Sequence, residues 1–176
     1  MNLGERLKKT IRDIPDFPKP GILFKDITPI LEDASLSADI VDFFADHFSK
    51  LGVDAVVGVE SRGFLFGMPI AIKMGKPFIT VRKKGKLPYK TINYKYDLEY
   101  GSAEVEMHVD SIKPGWKVVI HDDLLATGGT ASAAAELVKM QHADVFAFAF
   151  LVELGFLNGK EKLNKYTNNI INLVSY

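Results

Sequence analysis

Val118-Val119-Ile120-His121-Asp122-Asp123-Leu124-Leu125-Ala126-Thr127-Gly128-Gly129-Thr130 passes from an apolar run, through two adjacent acids, into a loop of small residues that opens an alanine-rich segment. The apolar run reads as a buried parallel strand with two carboxylates at its C-terminal end, where open α/β sheets place their ligands. The loop that follows opens a helix. Backbone N–H groups at a helix N-terminus lack intrahelical partners and can converge on a phosphate, with the Thr127 and Thr130 hydroxyls as further donors. Gly128 and Gly129 let the backbone approach closely. A phosphate there would repel the acids unless they pointed at something else, and a vicinal diol is their natural partner. Phosphate and diol so close together describe a ribose 5-phosphate. The bland alternative is a strand–turn–helix junction with Asp as a cap; it accounts for either acid alone better than for the whole string. Neither G-x-x-x-x-G-K-[ST] nor a G-x-G-x-x-G opening the first βα unit is present.

The flanking sequence supports the α/β reading. Ala55–Val59, Phe78–Val81, Val118–His121 and Val145–Leu151 are short apolar runs, and Phe64–Met74 and Thr130–Met140 have helical length and composition. Strands alternating with helices predict a mostly parallel twisted sheet flanked by helices. Leu3, Leu7 and Ile11 suggest a short amphipathic helix, and Ser35 or Ser37 is expected to cap a second one reaching Ser49. The proline-rich stretch from Ile14 to Gly21 cannot be helical. Between Arg82 and His108 the texture turns polar, with Tyr94 and Tyr96 on one face of a strand and Ala103, Val105 and Met107 on one face of another. That is an antiparallel excursion with a loop at its tip, the kind of insertion that often serves as a lid.

The 176 residues contain no internal repeat or linker and are read as one domain, 1–176. Lys plus Arg equals Asp plus Glu at 22 each, so no global field recruits nucleic acid or an anionic membrane. The absence of cysteine excludes disulfides, thiolate zinc sites and a thiol nucleophile. The four histidines show no metal-ligand spacing, and no apolar run is long enough to span a bilayer, so a cytoplasmic setting is expected.

The Val118–Thr130 string resembles the phosphoribosyl pyrophosphate signature of type I phosphoribosyltransferases, in particular their adenine branch, and the likeness extends over nearly the whole chain. It implies Asp122 and Asp123 on the ribose hydroxyls and Ala126, Thr127, Gly128, Gly129 and Thr130 around the 5-phosphate. Enzymes for hypoxanthine and guanine usually carry Asp where this chain has Ala126, so a proton-transfer group must come from elsewhere. Tyr96-Asp97-Leu98-Glu99-Tyr100-Gly101 is similar to the catalytic loop of the adenine branch. This implies Glu99 as proton-transfer residue, Tyr100 as its neighbour over the site, and segment 82–108 as a flexible antiparallel lid.

Ile14 to Pro29 is similar to the hood segment of the same branch, here placed within 1–34. It implies Phe24 stacked on adenine, Leu124 or Leu125 opposite, and backbone groups near Leu23 and Lys25 reading the base edge. Stacking plus main-chain hydrogen bonds can separate a 6-amino from a 6-oxo purine, because a mismatch leaves buried groups unpaired. Gly58 to Phe64 looks like the pyrophosphate loop, with Glu60, Ser61 and Arg62 around the diphosphate, Arg62 as a bidentate donor, and a cis peptide at Glu60–Ser61. Arg82 and Lys86 from Arg82-Lys83-Lys84-Gly85-Lys86 are implied to face the leaving diphosphate, whose charge Mg2+ would neutralise while held mainly by substrate oxygens and water. Relatives more often carry an apolar residue where this chain has His121, which is either a core histidine or a group that tunes Asp122. The family is typically a homodimer. The resemblance thus implies phosphoribosyl transfer from phosphoribosyl pyrophosphate to adenine through an oxocarbenium-like transition state. A related transferase for xanthine or another base, a non-catalytic phosphoribosyl pyrophosphate sensor and a bare sugar-phosphate binding module are the competing readings.

Overall fold

The computed structural model describes residues 1–97 and 101–176. In chain order the elements are α1 (Leu3–Thr10), β1 (Arg12–Pro15), β2 (Leu23–Asp26), α2 (Thr28–Glu32), α3 (Ala34–Ser49), β3 (Ala55–Val59), α4 (Gly63–Met74) and β4 (Phe78–Lys83). There follow β5 (Thr91–Asp97), β6 (Ser102–His108), β7 (Lys117–Leu125), α5 (Gly129–Met140), β8 (Asp144–Glu153), a 3₁₀ turn at Gly155–Leu157, α6 (Gly159–Leu163) and β9 (Ile170–Ser175). Seven strands form one sheet in the order β5-β6-β4-β3-β7-β8-β9. The pairs β4-β3, β3-β7, β7-β8 and β8-β9 are parallel, and the β5-β6 hairpin joins antiparallel to β4. This is the mostly parallel, helix-flanked sheet that the alternation of elements predicts.

Strand side chains alternate between faces, so each central strand feeds two cores. Val57, Val118 and Ile120 pack under α5 with Ala134, Leu137 and Phe148. Val56 and Val119 point the other way, toward Leu7 of α1, Ile40 and Phe44 of α3, and Phe66 and Ile70 of α4. Four-residue spacing on α1 buries Leu7 and Ile11, and an Asn2–Glu5 capping box starts that helix. Neither Ser35 nor Ser37 caps α3. Asp33 does, accepting a hydrogen bond from the Leu36 N–H at 2.9 Å, while the Ser37 hydroxyl donates to the Ile30 carbonyl. An aspartate one residue before the first turn outcompetes serines already inside it.

β7 is longer than its apolar run suggests. Its ladder with β8 continues through Asp122 to Leu125, so the acids sit on the strand itself. β9 and α6 lie in a C-terminal region where only Gly159, Leu163 and Val174 are buried, too few to mark the elements in advance. β1 and β2 form a separate antiparallel pair with Ile14 opposite Phe24.

Candidate active site

The C-terminal ends of β3 and β7 and the N-termini of α4 and α5 meet in a cleft of about 430 Å³ lined by Glu60, Arg62, Lys83, Asp122, Asp123 and Thr130, among others. α4 reaches β7 closely because its first residue is Gly63, where a Cβ would lie 2.7 Å from the His121 carbonyl oxygen. The Asp123 N–H donates to Asp122 Oδ1 at 2.9 Å, holding the Asp122 carboxylate against the backbone of its neighbour. Asp123 is buried and pairs with Arg62 Nε at 3.0 Å. Burial, and then the neighbouring Asp123 charge, push the Asp122 carboxyl well above the usual carboxylate range. Asp123 is raised by burial too, with Arg62 pulling against it.

The loop after the acids is built to come close to something. Gly128 has φ +77°, a left-handed conformation that favours glycine, and α5 begins there without a side-chain cap, so no capping side chain claims its first-turn N–H groups. Behind the loop stands the Asn158–Gly159 turn: a Cβ on Gly159 would fall 2.2 Å from the Ala126 carbonyl oxygen and 3.1 Å from the Gly128 nitrogen. In front, the Tyr96 hydroxyl of β5 lies 3.2 Å from Thr130 Oγ1.

Glu60 and Ser61 are joined by a cis peptide, at the position the sequence comparison implies. Glu60 accepts from the Lys83 N–H at 2.9 Å and from Arg82 Nε at 3.2 Å. Burial acts to raise the Glu60 carboxyl, but these donors more than offset it and hold it below its usual range. Arg82 also donates to the Lys86 carbonyl, and the buried Glu106 carboxylate of β6 accepts the Lys86 and Leu87 N–H groups at 2.9 and 2.7 Å. Two acids thus shape the basic loop. Arg82 is engaged by Glu60, and Lys83 lines the cleft beside it.

On the hood side, the Arg62 guanidinium lies 5.4 Å from the centre of the Phe24 ring, which meets Phe17 edge-on at 5.1 Å. Arg62 therefore touches both the acid pair and the aromatic. Leu23 is half exposed along a second, larger groove of about 1210 Å³ that it shares with Lys25, Thr127, Leu154 and Tyr176. The Lys25 amine pairs with Asp13 at 2.6 Å and lies over the Tyr176 ring, 3.8 Å from its centre. Of the two leucines after the acids, Leu124 lines the cleft and Leu125 is buried in the core under α5. Glu99 and Tyr100 lie outside the described residues.

Residues 29–172 match the model of the phosphoribosyl transferase domain. An adenine phosphoribosyltransferase of Cytophaga hutchinsonii is 51% identical over 99% of this chain and 96% of its own. The crystal structure of the adenine phosphoribosyltransferase from Thermoanaerobacter pseudethanolicus superposes with a TM-score of 0.94 at 47% identity, covering 98% of this chain and 99% of that one. The Saccharomyces cerevisiae adenine phosphoribosyltransferase, solved with an imino-altritol bisphosphate and adenine, gives 0.92 at 39% identity with 98% of each chain covered. The chain belongs to the adenine phosphoribosyltransferase family.

Within that family assignment, three contributors to the cleft escape motif reading. Lys83 is hidden in a basic run where Arg82 and Lys86 draw attention. Tyr96 opens the stretch that resembles the catalytic loop, but that resemblance gives it no role of its own. Gly159 belongs to an Asn-Gly pair, a turn signal in the sequence, yet nothing local says that the turn backs the loop at Ala126–Thr130. His121 resolves as a core residue: fully buried, edge-on to Phe44 at 5.8 Å, and without a hydrogen-bond partner on either ring nitrogen among the described residues.

Proposed function

We propose that this enzyme transfers the phosphoribosyl group of phosphoribosyl pyrophosphate to adenine, giving AMP and pyrophosphate, with residues 1–176 acting as one phosphoribosyltransferase domain. The observation that carries the reading is the Asp122–Asp123 pair at the end of β7, directly followed by an uncapped, glycine-rich start to α5. The two acids accept hydrogen bonds from the ribose hydroxyls, and Ala126 to Thr130 hold the 5-phosphate through backbone N–H groups and hydroxyls. Anchored at both ends, the ribose presents C1 to the space between Arg62 and Phe24.

Glu60, Ser61 and Arg62, with Arg82 and Lys86, form the diphosphate side. Arg62 is suited to a leaving phosphate because its planar fork donates two hydrogen bonds at once. Its contacts with Asp123 and Phe24 support a role in joining the three subsites. Adenine stacks on Phe24 with Leu124 opposite and Leu125 supporting from the core, and its edge meets the backbone near Leu23 and Lys25. As the bond from C1 to diphosphate breaks, the sugar becomes oxocarbenium-like and the purine nitrogen attacks. Glu99 takes the proton the base sheds, with Tyr100 beside it and segment 82–108 acting as the lid.

Magnesium is the proposed counter-ion of the diphosphate. The cleft offers carboxylate oxygens of the kind it takes, at Glu60, Asp122 and Asp123. The ion is taken to be held mainly through substrate oxygens and water. When bound, it neutralises charge on the leaving group. A cytoplasmic homodimer completes the proposal. The dimer is supported by an apolar stripe on the outward face of α4, where Leu65, Met68 and Ile72 are 43%, 46% and 67% exposed. Among the described residues no helix is long and apolar enough to cross a membrane.

The test is product formation from phosphoribosyl pyrophosphate and magnesium with adenine, hypoxanthine, guanine or xanthine in turn. AMP from adenine alone is expected; nucleotide from an oxopurine but not adenine would overturn the base assignment. Glu99→Ala in the same assay should cut turnover by about 10²-fold or more if proton transfer runs through it.

A further inference from the structure

Tyr96 stands apart from every group so far given a role, yet its hydroxyl reaches the site. It lies on β5 and meets Thr130 Oγ1 at 3.2 Å. Its ring packs on the phosphate loop, 3.7 Å from where a Cβ of Gly129 would be, and against the core beneath α5. It lines the same cleft as Asp122 and Thr130. A tyrosine so placed has its ring fixed by packing and its one polar atom directed at a single hydroxyl.

We propose that Tyr96 is a positioning residue for the 5-phosphate, acting through Thr130; this rests on the reading of Ala126–Thr130 as the phosphate loop. A threonine hydroxyl has one proton and two lone pairs. When a phosphate dianion enters the loop, Thr130 donates its proton to a phosphate oxygen and can no longer donate to Tyr96. The Tyr96 O–H then donates to Thr130 Oγ1, giving a chain from tyrosine to threonine to phosphate in which each hydrogen bond polarises the next. The tyrosine holds the threonine rotamer and strengthens its donation without touching the substrate. Because β5 carries this contact, the antiparallel hairpin is tied to the occupied phosphate loop by a hydrogen bond that exists only with a tyrosine at this place.

The experiment compares Tyr96→Phe, Thr130→Val, Thr130→Ser and the double variant Tyr96→Phe/Thr130→Val in the full-length protein. Binding of AMP and of adenosine is measured by calorimetry, and KM for phosphoribosyl pyrophosphate by steady-state rates. Tyr96→Phe keeps the packed ring and removes only the hydroxyl. It should weaken AMP about fivefold, the value of one hydrogen bond, leave adenosine binding unchanged, and raise KM for phosphoribosyl pyrophosphate more than it lowers kcat. Thr130→Val should weaken AMP at least as much, Thr130→Ser should retain most of the affinity, and the double variant should be no worse than Thr130→Val alone. Wild-type AMP affinity in Tyr96→Phe while Thr130→Val loses it would overturn the role of Tyr96 and leave the phosphate loop standing. Equal loss of AMP and adenosine in Tyr96→Phe would also overturn it, as the mark of a merely structural tyrosine. Wild-type AMP affinity in Thr130→Val would instead overturn the phosphate-loop reading itself.

Discussion

His121→Val isolates the cost of burying an unpaired imidazole directly before the acid pair. The ring is fully buried, edge-on to Phe44 and 3.5 Å from where a Cβ on Gly67 would sit. Burial pushes it down to about 4 from a usual 6.5. The folded pKa is depressed, so between those values the unfolded chain takes up a proton that the folded protein refuses. The sign follows: stability linked to His121 is complete above about pH 6.5 and is lost as pH falls toward 4. The linkage relation converts the gap into about 2 kcal/mol lost at pH 5 relative to pH 8, and about 3 kcal/mol below pH 4. Valine cannot titrate, and a β-branched residue suits a buried parallel strand. At pH 8 the two proteins should differ by no more than about 1 kcal/mol, since removing an unpaired polar ring is offset by the space it leaves. Urea unfolding at pH 8 and pH 5, at one fixed protein concentration, gives the quantity of interest as a difference of differences in which all other titrating groups cancel. His121→Val should lose about 2 kcal/mol less than the wild type between the two pH values. Equal losses, to within roughly 0.5 kcal/mol, would refute a neutral, buried His121.

Asp122→Asn should raise thermal stability while abolishing most activity. The Asn Oδ1 can still accept the Asp123 N–H, and the raised Asp122 pKa means its stability contribution is lost as pH rises, so the gain in melting temperature should be larger at pH 8 than at pH 4. Melting curves at the two pH values check the sign, and a lower melting temperature at pH 8 would contradict it. Gly159→Ala forces a methyl group into the Ala126 carbonyl, so the phosphate loop must shift. KM for phosphoribosyl pyrophosphate should rise on the order of tenfold to a hundredfold with KM for adenine far less affected, and unchanged kinetics would show that the turn does not set the loop.

The parts of this protein legible in its sequence are those written in contiguous residues. Strand–helix alternation and the acid pair with its glycine-rich loop follow from local order, while the Glu60–Ser61 junction and the hood stretch are legible as contiguous segments that resemble those of a known family. α/β architecture and the phosphoribosyl reading come from such segments. Tertiary structure decided what depends on distant residues arriving at one place. Leu124 faces the cleft and Leu125 the core because the ladder with β8 carries β7 on past the acids. Arg82 lies on Glu60, 22 positions away, and Tyr96 on Thr130, 34 away. The Asn158–Gly159 turn backs a loop 30 residues earlier in the chain, since a parallel sheet gathers the ends of strands that the sequence keeps apart. Periodicity reports which face a residue takes; it carries no information about which remote side chain will be waiting there.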